Sequence, residues 1–251
     1  GFEHNLQSLR VVDLLEQRYA DFDGLNLTFE TREGILKHCS LKNARNLGEV
    51  GERFIKKQQP SLEAQLVNHA DEIAYNNHDI DDGYRSGVLK FNALMDVPLF
   101  KECAELVKKD YPDIDETKRI HETIRRIMYK SIFDICDTSS AGLSQANPKS
   151  IDEIRKLPKL INFSKEMAQK QLELKKFLRS FLYEHERVVE MTDNAKGIVK
   201  DLFKYFLSNP SQMSESYQSK STKDVARSVA DYLAGMTDRY AIKTHKEISF
   251  N

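Results

Sequence analysis

Apolar residues in this chain recur every three or four positions, the period of a helix, and almost never alternate as in a strand. Leu6, Leu9, Val12 and Leu15 predict a helix over residues 4–19, followed by a loop over 21–26. A second helix is expected over 28–38, with Thr31 and Glu33 in its first turn, and a polar stretch over 39–60. Pro60-Ser61 then starts a long helix with Ser61 as N-cap. Asp81-Asp82-Gly83 either ends or kinks that helix, because the pattern resumes at Tyr84. One or two shorter helices over 90–107 break near Pro98, and Tyr111-Pro112-Asp113 turns the chain. A long helix with a basic face covers 116–135, and the Ser-, Gly- and Asn-containing stretch 137–150 reads as a loop, mobile or dividing two subdomains. Further helical patterns cover 164–189, capped at Phe163-Ser164, and 193–207, stopped by Asn209-Pro210. The last helix, 221–246, starts with Ser221 and Asp224 as a capping box. Short strands are conceivable only at 25–28 and at the extreme C-terminus. The predicted fold class is all-α.

Composition sharpens this picture. Ten glycines and six prolines in 251 residues leave few breaks, which favours long helices. The net charge is −1 and no Lys/Arg run is dense, which argues against a nucleic-acid tract. An anionic ligand would have to be held by local cations or a metal. Cys39, Cys103 and Cys136 are odd in number and in no C-x-x-C spacing, so neither a disulfide framework nor a zinc-thiolate site is expected and a reducing cytoplasm is the inference. No window is apolar enough to span a membrane, and no secretory leader is visible.

The helix begun at Ser61 carries the candidate chemistry. Asp71, Tyr75, Asp79 and Asp82 recur at helical spacing and share one face, while Leu62, Leu66, Ala70, Ile73, Asn77 and Ile80 form the expected core stripe. Stacked carboxylates repel, and a metal or polar ligand facing the row relieves this; a solvated row is also tolerated. Asp71 has the oxygen chemistry of a hard-cation ligand, but a catalytic metal needs about three protein ligands. His69 points away from Asp71, whereas His78 could share its face. Tyr75 and Asp79 could hydrogen-bond a sugar hydroxyl, or Tyr75 could simply sit at the core boundary. Arg125 and Arg126 could form bidentate bonds with phosphates, or line a solvated helix face. His121 and His185 are weak signals. No Walker loop, G-x-G-x-x-G, H-E-x-x-H or G-x-S-x-G is present.

Five stretches resemble one family. Ser61-Leu62-Glu63-Ala64-Gln65 leading into Ala70-Asp71-Glu72-Ile73-Ala74-Tyr75 looks like the last metal-ligand segment of the dGTPase-like deoxynucleoside triphosphate triphosphohydrolases, which are HD-domain metalloenzymes. The others are Gly1-Phe2-Glu3-His4-Asn5-Leu6-Gln7-Ser8-Leu9-Arg10, Leu25-Asn26-Leu27-Thr28 with Glu33-Gly34-Ile35-Leu36-Lys37-His38, Phe177-Leu178 through Tyr183-x-His185-x-x-Val188, and Asp231-Tyr232-Leu233-Ala234-Gly235-Met236-Thr237-Asp238-Arg239-Tyr240. They follow the family's order along essentially the whole chain.

The resemblance implies an HD-like helical bundle with a C-terminal helical extension: residues 1–136 as the C-terminal part of the HD core, 137–150 as a loop, and 151–251 as a helical region packing on it. It implies hydrolysis of a dNTP, dGTP first among them, with a divalent metal, Mg or Mn first among candidates. Asp71 matches the last metal ligand. Tyr75 and Asp79 match sugar contacts, and Arg125 or Arg126 falls near a region that supplies phosphate-binding cations. The family's first histidine, His-Asp doublet and catalytic His/Glu belong upstream of Gly1, so the catalytic residues are expected outside this chain and the chain alone is expected to be inactive. The resemblance further implies a homo-oligomer, a possible allosteric nucleotide, no membrane and, in some relatives only, single-strand binding. The alternative is a non-catalytic nucleotide-binding or oligomer-forming regulatory module.

Overall fold

A computed structural model describes residues 3–218 and 224–249. Among these, fourteen α-helices form and the only β feature is an isolated bridge between Gln17 and Gly24. The all-α expectation is met. The chain divides into two compact units, Gly1–Arg179 and Ser180–Asn251.

The first unit holds ten helices: α1 (His4–Arg10), α2 (Phe29–Ile35), α3 (Leu41–Ala44), α4 (Glu49–Ile55), α5 (Leu62–Arg85), α6 (Phe91–Leu94), α7 (Pro98–Asp110), α8 (Glu116–Ala146), α9 (Ile151–Ile154) and α10 (Lys165–Leu178). Helices α5, α7, α8 and α10 pack together, and α2 lies against α5. Fully buried Ile80, Leu94, Leu99, Phe100, Ile120, Ile127 and Leu174 fill the space between them.

Several elements depart from the sequence pattern for identifiable reasons. The first helix stops early: α1 gives way to a π-helical turn, Val11–Leu15. There the Val12 carbonyl accepts a hydrogen bond from Leu25 N (2.8 Å) and the Glu16 carbonyl one from Gly24 N (2.9 Å), so the 16–24 loop folds back onto the turn. Gly24 is required, since it adopts φ 76° and a Cβ there would lie 2.3 Å from the Asp13 carbonyl oxygen. No strand forms at 25–28. The polar stretch 39–60 contains two short helices, α3 and α4.

The acidic helix α5 runs unbroken for 24 residues, and Gly83 neither ends nor caps it. Ser61 is its N-cap, the hydroxyl accepting from Ala64 N at 3.2 Å. Its buried face is Ala64, Gln65, Ile73, Asn76, Asn77 and Ile80. The expected stripe through Leu66 and Ala70 is therefore rotated in the N-terminal half, where both are exposed. Polar Gln65 takes the inward place because it is satisfied there: Oε1 accepts from Leu160 N (2.9 Å) and Ile161 N (3.2 Å), and Nε2 donates to the Pro60 carbonyl (3.1 Å).

Residues 137–146, expected as loop, continue α8 as helix for a total of 31 residues. Their small side chains permit close packing. Ser139 is buried and its Oγ accepts from Asn162 N at 3.2 Å. A Cβ on Gly142 would sit 3.7 Å from the Leu160 carbonyl oxygen. Asn147, in the left-handed region at φ 45°, closes the helix. Ser164 caps α10 as expected, but the 164–189 pattern is interrupted by a π turn, Arg179–Tyr183.

In the second unit, α11 (Glu186–Ser208), α12 (Glu215–Gln218), α13 (Val225–Ala234) and α14 (Asp238–Ser249) surround a core of Leu202, Phe206, Met213 and Val229. Asp224 caps α13, accepting from Arg227 N at 3.0 Å; Ser221, its proposed capping-box partner, lies outside the described residues. The single last helix expected over 221–246 is two helices, divided at Gly235-Met236-Thr237.

Candidate active site

Three of the stretches that resemble the family meet at one cavity of 1160 Å³. His4 and Asn5 from α1, Lys37 and His38 from the segment after α2, and Val67 and Asp71 from α5 line it. The segment after α2 can reach the cavity because Leu36 leaves the helix at φ −80°, ψ 71°, ending α2 at Ile35. Buried Asn5 fixes this segment from one side, donating from Nδ2 to the His38 carbonyl at 3.0 Å.

Asp71 sits at the cavity wall, largely exposed, with Lys37 Nζ 2.9 Å from its Oδ2. Lys37 was not among the residues expected in the site, although it belongs to a stretch singled out for resemblance. A cation reaching Asp71 would compete with this ammonium, and a bound phosphate would attract it. Tyr75 and Asp79 follow on the same face, about 6 and 12 Å further along the helix axis. Tyr75 is exposed and Asp79 partly buried.

At Ser61, which also lines the cavity, begins a charge network that no local pattern reveals. Glu33 is fully buried, with its carboxylate accepting from Arg155 Nη1 at 2.6 Å and Nη2 at 3.1 Å. Ser61 N, at the start of α5, donates to it at 3.4 Å. Arg53 Nε lies 3.5 Å from Glu33, close enough for an ion pair, while its Nη2 donates to the Leu36 carbonyl. Burial lowers the Arg53 pKa, an effect opposed by Glu33, whereas hydrogen bonding to Glu33 raises that of Arg155. One carboxylate thus ties the start of α5 to the segment that carries Lys37 and His38.

Arg125 and Arg126 are not brought to this cavity. Buried Ile127 and Ser131 fix the inward face of α8, which turns Arg125, about 200° from Ile127, outward. Arg125 pairs with Glu122, and Arg126 Nη2 lies 2.7 Å from Asp110 of α7. His69, one turn before Ile73, faces the segment before α10 instead of Asp71: Nε2 lies 3.1 Å from the Ile161 carbonyl and 2.8 Å from Lys159 Nζ. Among the described residues no three His, Cys, Asp or Glu side chains come together in a group able to hold a metal ion. Asp71 is therefore a single ligand at most within this set.

The phosphohydrolase-associated domain matches residues 161–247. A deoxyguanosinetriphosphate triphosphohydrolase-like protein of Bordetella pertussis is 52% identical over 248 residues, 99% of this chain. The chain belongs to the deoxyguanosinetriphosphate triphosphohydrolase-like family. Members from Ralstonia pickettii and Nitrosomonas europaea are 53% and 47% identical, again over 99% of the chain. This chain spans 65%, 64% and 66% of the length of those three relatives. No helix among the described residues is long and apolar enough to cross a membrane.

Proposed function

We propose that the whole protein carrying this chain hydrolyses a deoxynucleoside triphosphate, dGTP first among substrates, to the deoxynucleoside and triphosphate. The observation that supports this most is the convergence of Asp71 and Lys37 on one large cavity in a member of this family. The relatives' name points to dGTP, and three free cysteines suit a reducing cytoplasm.

In this reading Asp71 supplies one ligand to a divalent cation, Mg or Mn. When bound, that cation would polarise the phosphoryl group under attack. Lys37 transfers its contact from Asp71 to a phosphate oxygen, a charge-assisted bond. Tyr75 and Asp79, one and two turns along α5, read the deoxyribose hydroxyl. Glu33, Arg53 and Arg155 touch no substrate; they hold the Lys37 segment against α5. Arg125 and Arg126 contribute to a triphosphate clamp only if the ligand extends well beyond this cavity, so we assign that role first to Lys37.

The test is release of triphosphate from dGTP by the full-length protein with Mn or Mg. Asp71→Asn is expected to abolish turnover and weaken metal binding measured by titration, with unchanged helicity. Full turnover by that variant would exclude Asp71 as a ligand. Metal-independent dGTP binding without hydrolysis by the unaltered protein would favour a regulatory nucleotide-binding module.

A further inference from the structure

Helix α5 carries the candidate residues on one side and a partly polar interior face on the other. That buried face includes Asn76 and Asn77 beside Ile73 and Ile80. Apolar burial is non-directional, so it fixes the rotation of such a helix only weakly. A chain of buried hydrogen bonds supplies the direction. Asn76 Nδ2 donates to Gln171 Oε1 of α10 at 3.0 Å, and Gln171 Nε2 donates to Ser131 Oγ of α8 at 2.8 Å. Ser131 Oγ in turn donates to the Ile127 carbonyl at 2.7 Å. Asn76, Gln171 and Ser131 are 3%, 2% and 0% exposed.

This chain runs in one direction only. The Ile127 carbonyl can only accept, so it takes the Ser131 proton. Ser131 Oγ must then accept from the Gln171 amide nitrogen, which turns the Gln171 carbonyl toward Asn76. One turn earlier on α5, Glu72 meets Lys175 Nζ of α10 at 2.7 Å. The two contacts, Glu72 with Lys175 and Asn76 with Gln171, lie one turn apart in antiparallel register, so they oppose both rotation and sliding of α5 against α10. Glu72 directly follows Asp71, and Asn76 directly follows Tyr75. A rotation of α5 by about 10° would carry a side-chain tip about 1 Å. A misplacement of that size costs a reaction up to about 100-fold.

We propose that Gln171 is a positioning residue for sugar recognition: held by Ser131, it fixes through Asn76 the rotation of α5 that aims Tyr75 and Asp79 at the deoxyribose. The proposal rests on the reading of Tyr75 and Asp79 given above. Gln171 is buried and acts only through α5.

The test is the ratio of kcat/KM for dGTP over GTP in the full-length protein, with Tyr75→Phe and Asp79→Asn as references. Gln171→Met keeps the length of the side chain and removes both hydrogen bonds; it is expected to lower the ratio about tenfold. Ser131→Ala removes only the far anchor and should lower it about threefold. Val107→Ala leaves a cavity in the same bundle with the hydrogen-bond chain intact, and should lower the melting temperature while the ratio holds. An absence of dGTP turnover, or a ratio unchanged by both reference variants, would remove the sugar reading and this proposal with it. A ratio lowered by the reference variants but unchanged in folded Gln171→Met would keep the sugar reading and overturn the proposal. A ratio lowered equally by Val107→Ala would reduce the effect to stability and also overturn it. Should Gln171→Met fail to fold, Ser131→Ala decides, and an unchanged ratio there rejects the role of Gln171.

Discussion

Glu33 and Arg155 meet as a bidentate ion pair in the interior of the first unit although 122 residues separate them. The pair joins the end of α2 to the short helix α9, and the same carboxylate reaches the N-cap of α5. Breaking a buried pair from one side strands a charge and costs about 3–5 kcal/mol. Glu33→Gln removes the anion and leaves two guanidinium groups facing an amide. The expected result is a fall in unfolding free energy on the order of 3 kcal/mol in urea denaturation. A change under ~0.5 kcal/mol would show that Glu33 is not the anchor.

Lys37 and Asp71 give the opposite expectation. Asp71 is mostly exposed, and exposed pairs contribute about 0–1 kcal/mol, so Lys37→Ala should hardly affect stability. A hydrogen bond to a charged group is worth about 1.5–3 kcal/mol, so loss of a phosphate contact should raise KM for the dNTP roughly tenfold or more. Steady-state kinetics on the full-length protein separates the two effects. An unchanged KM would leave Lys37 as a mere neighbour of Asp71.

His69 makes stability depend on pH. Burial, aided by the Lys159 ammonium, lowers its pKa below the ordinary histidine value of 6.5. The unfolded chain therefore takes up the proton first as pH falls, which favours unfolding. The stability is complete above pH 6.5 and declines as pH falls through the unfolded value toward the lower folded one. Melting temperatures should drop between pH 7 and 5, with a flatter profile for His69→Gln. An identical profile would assign the acid sensitivity to other groups.

Cys103 should be inert. Burial between α7 and α8 pushes its pKa up to about 11, so the thiol stays protonated at neutral pH. Reaction with a disulfide reagent at pH 8 should modify Cys103 last, and only at the rate of unfolding. Mass spectrometry after partial labelling reads this directly, and early modification of Cys103 would contradict its burial.

The helix face that carries the candidate residues was legible in the sequence because it depends on local rules. Asp71, Tyr75 and Asp79 share a face through helical spacing, and Ser61 and Ser164 could be recognised as caps from their own few neighbours. Resemblance then singled out the stretches containing His4, Lys37 and Asp71. It could not say that Lys37 touches Asp71. Nor could a run of Ser, Gly and Asn after Cys136 reveal a helix, because small residues suit a loop and a tightly packed helix equally. The outward turn of Arg125 followed from which residues of α8 are buried, which depends on what α8 packs against.

The sequence by itself determined the helical period, the main helix starts and the register of the acidic row, since each is set by hydrogen bonds and side-chain spacing within about four residues. Only the tertiary structure decided that α1, the segment after α2 and α5 enclose one cavity, that Gln65 replaces Leu66 in the interior, and that Glu33 finds Arg155. Those outcomes depend on satisfying buried polar groups and filling space between segments far apart in the chain, and no local spacing encodes which distant partner will do so.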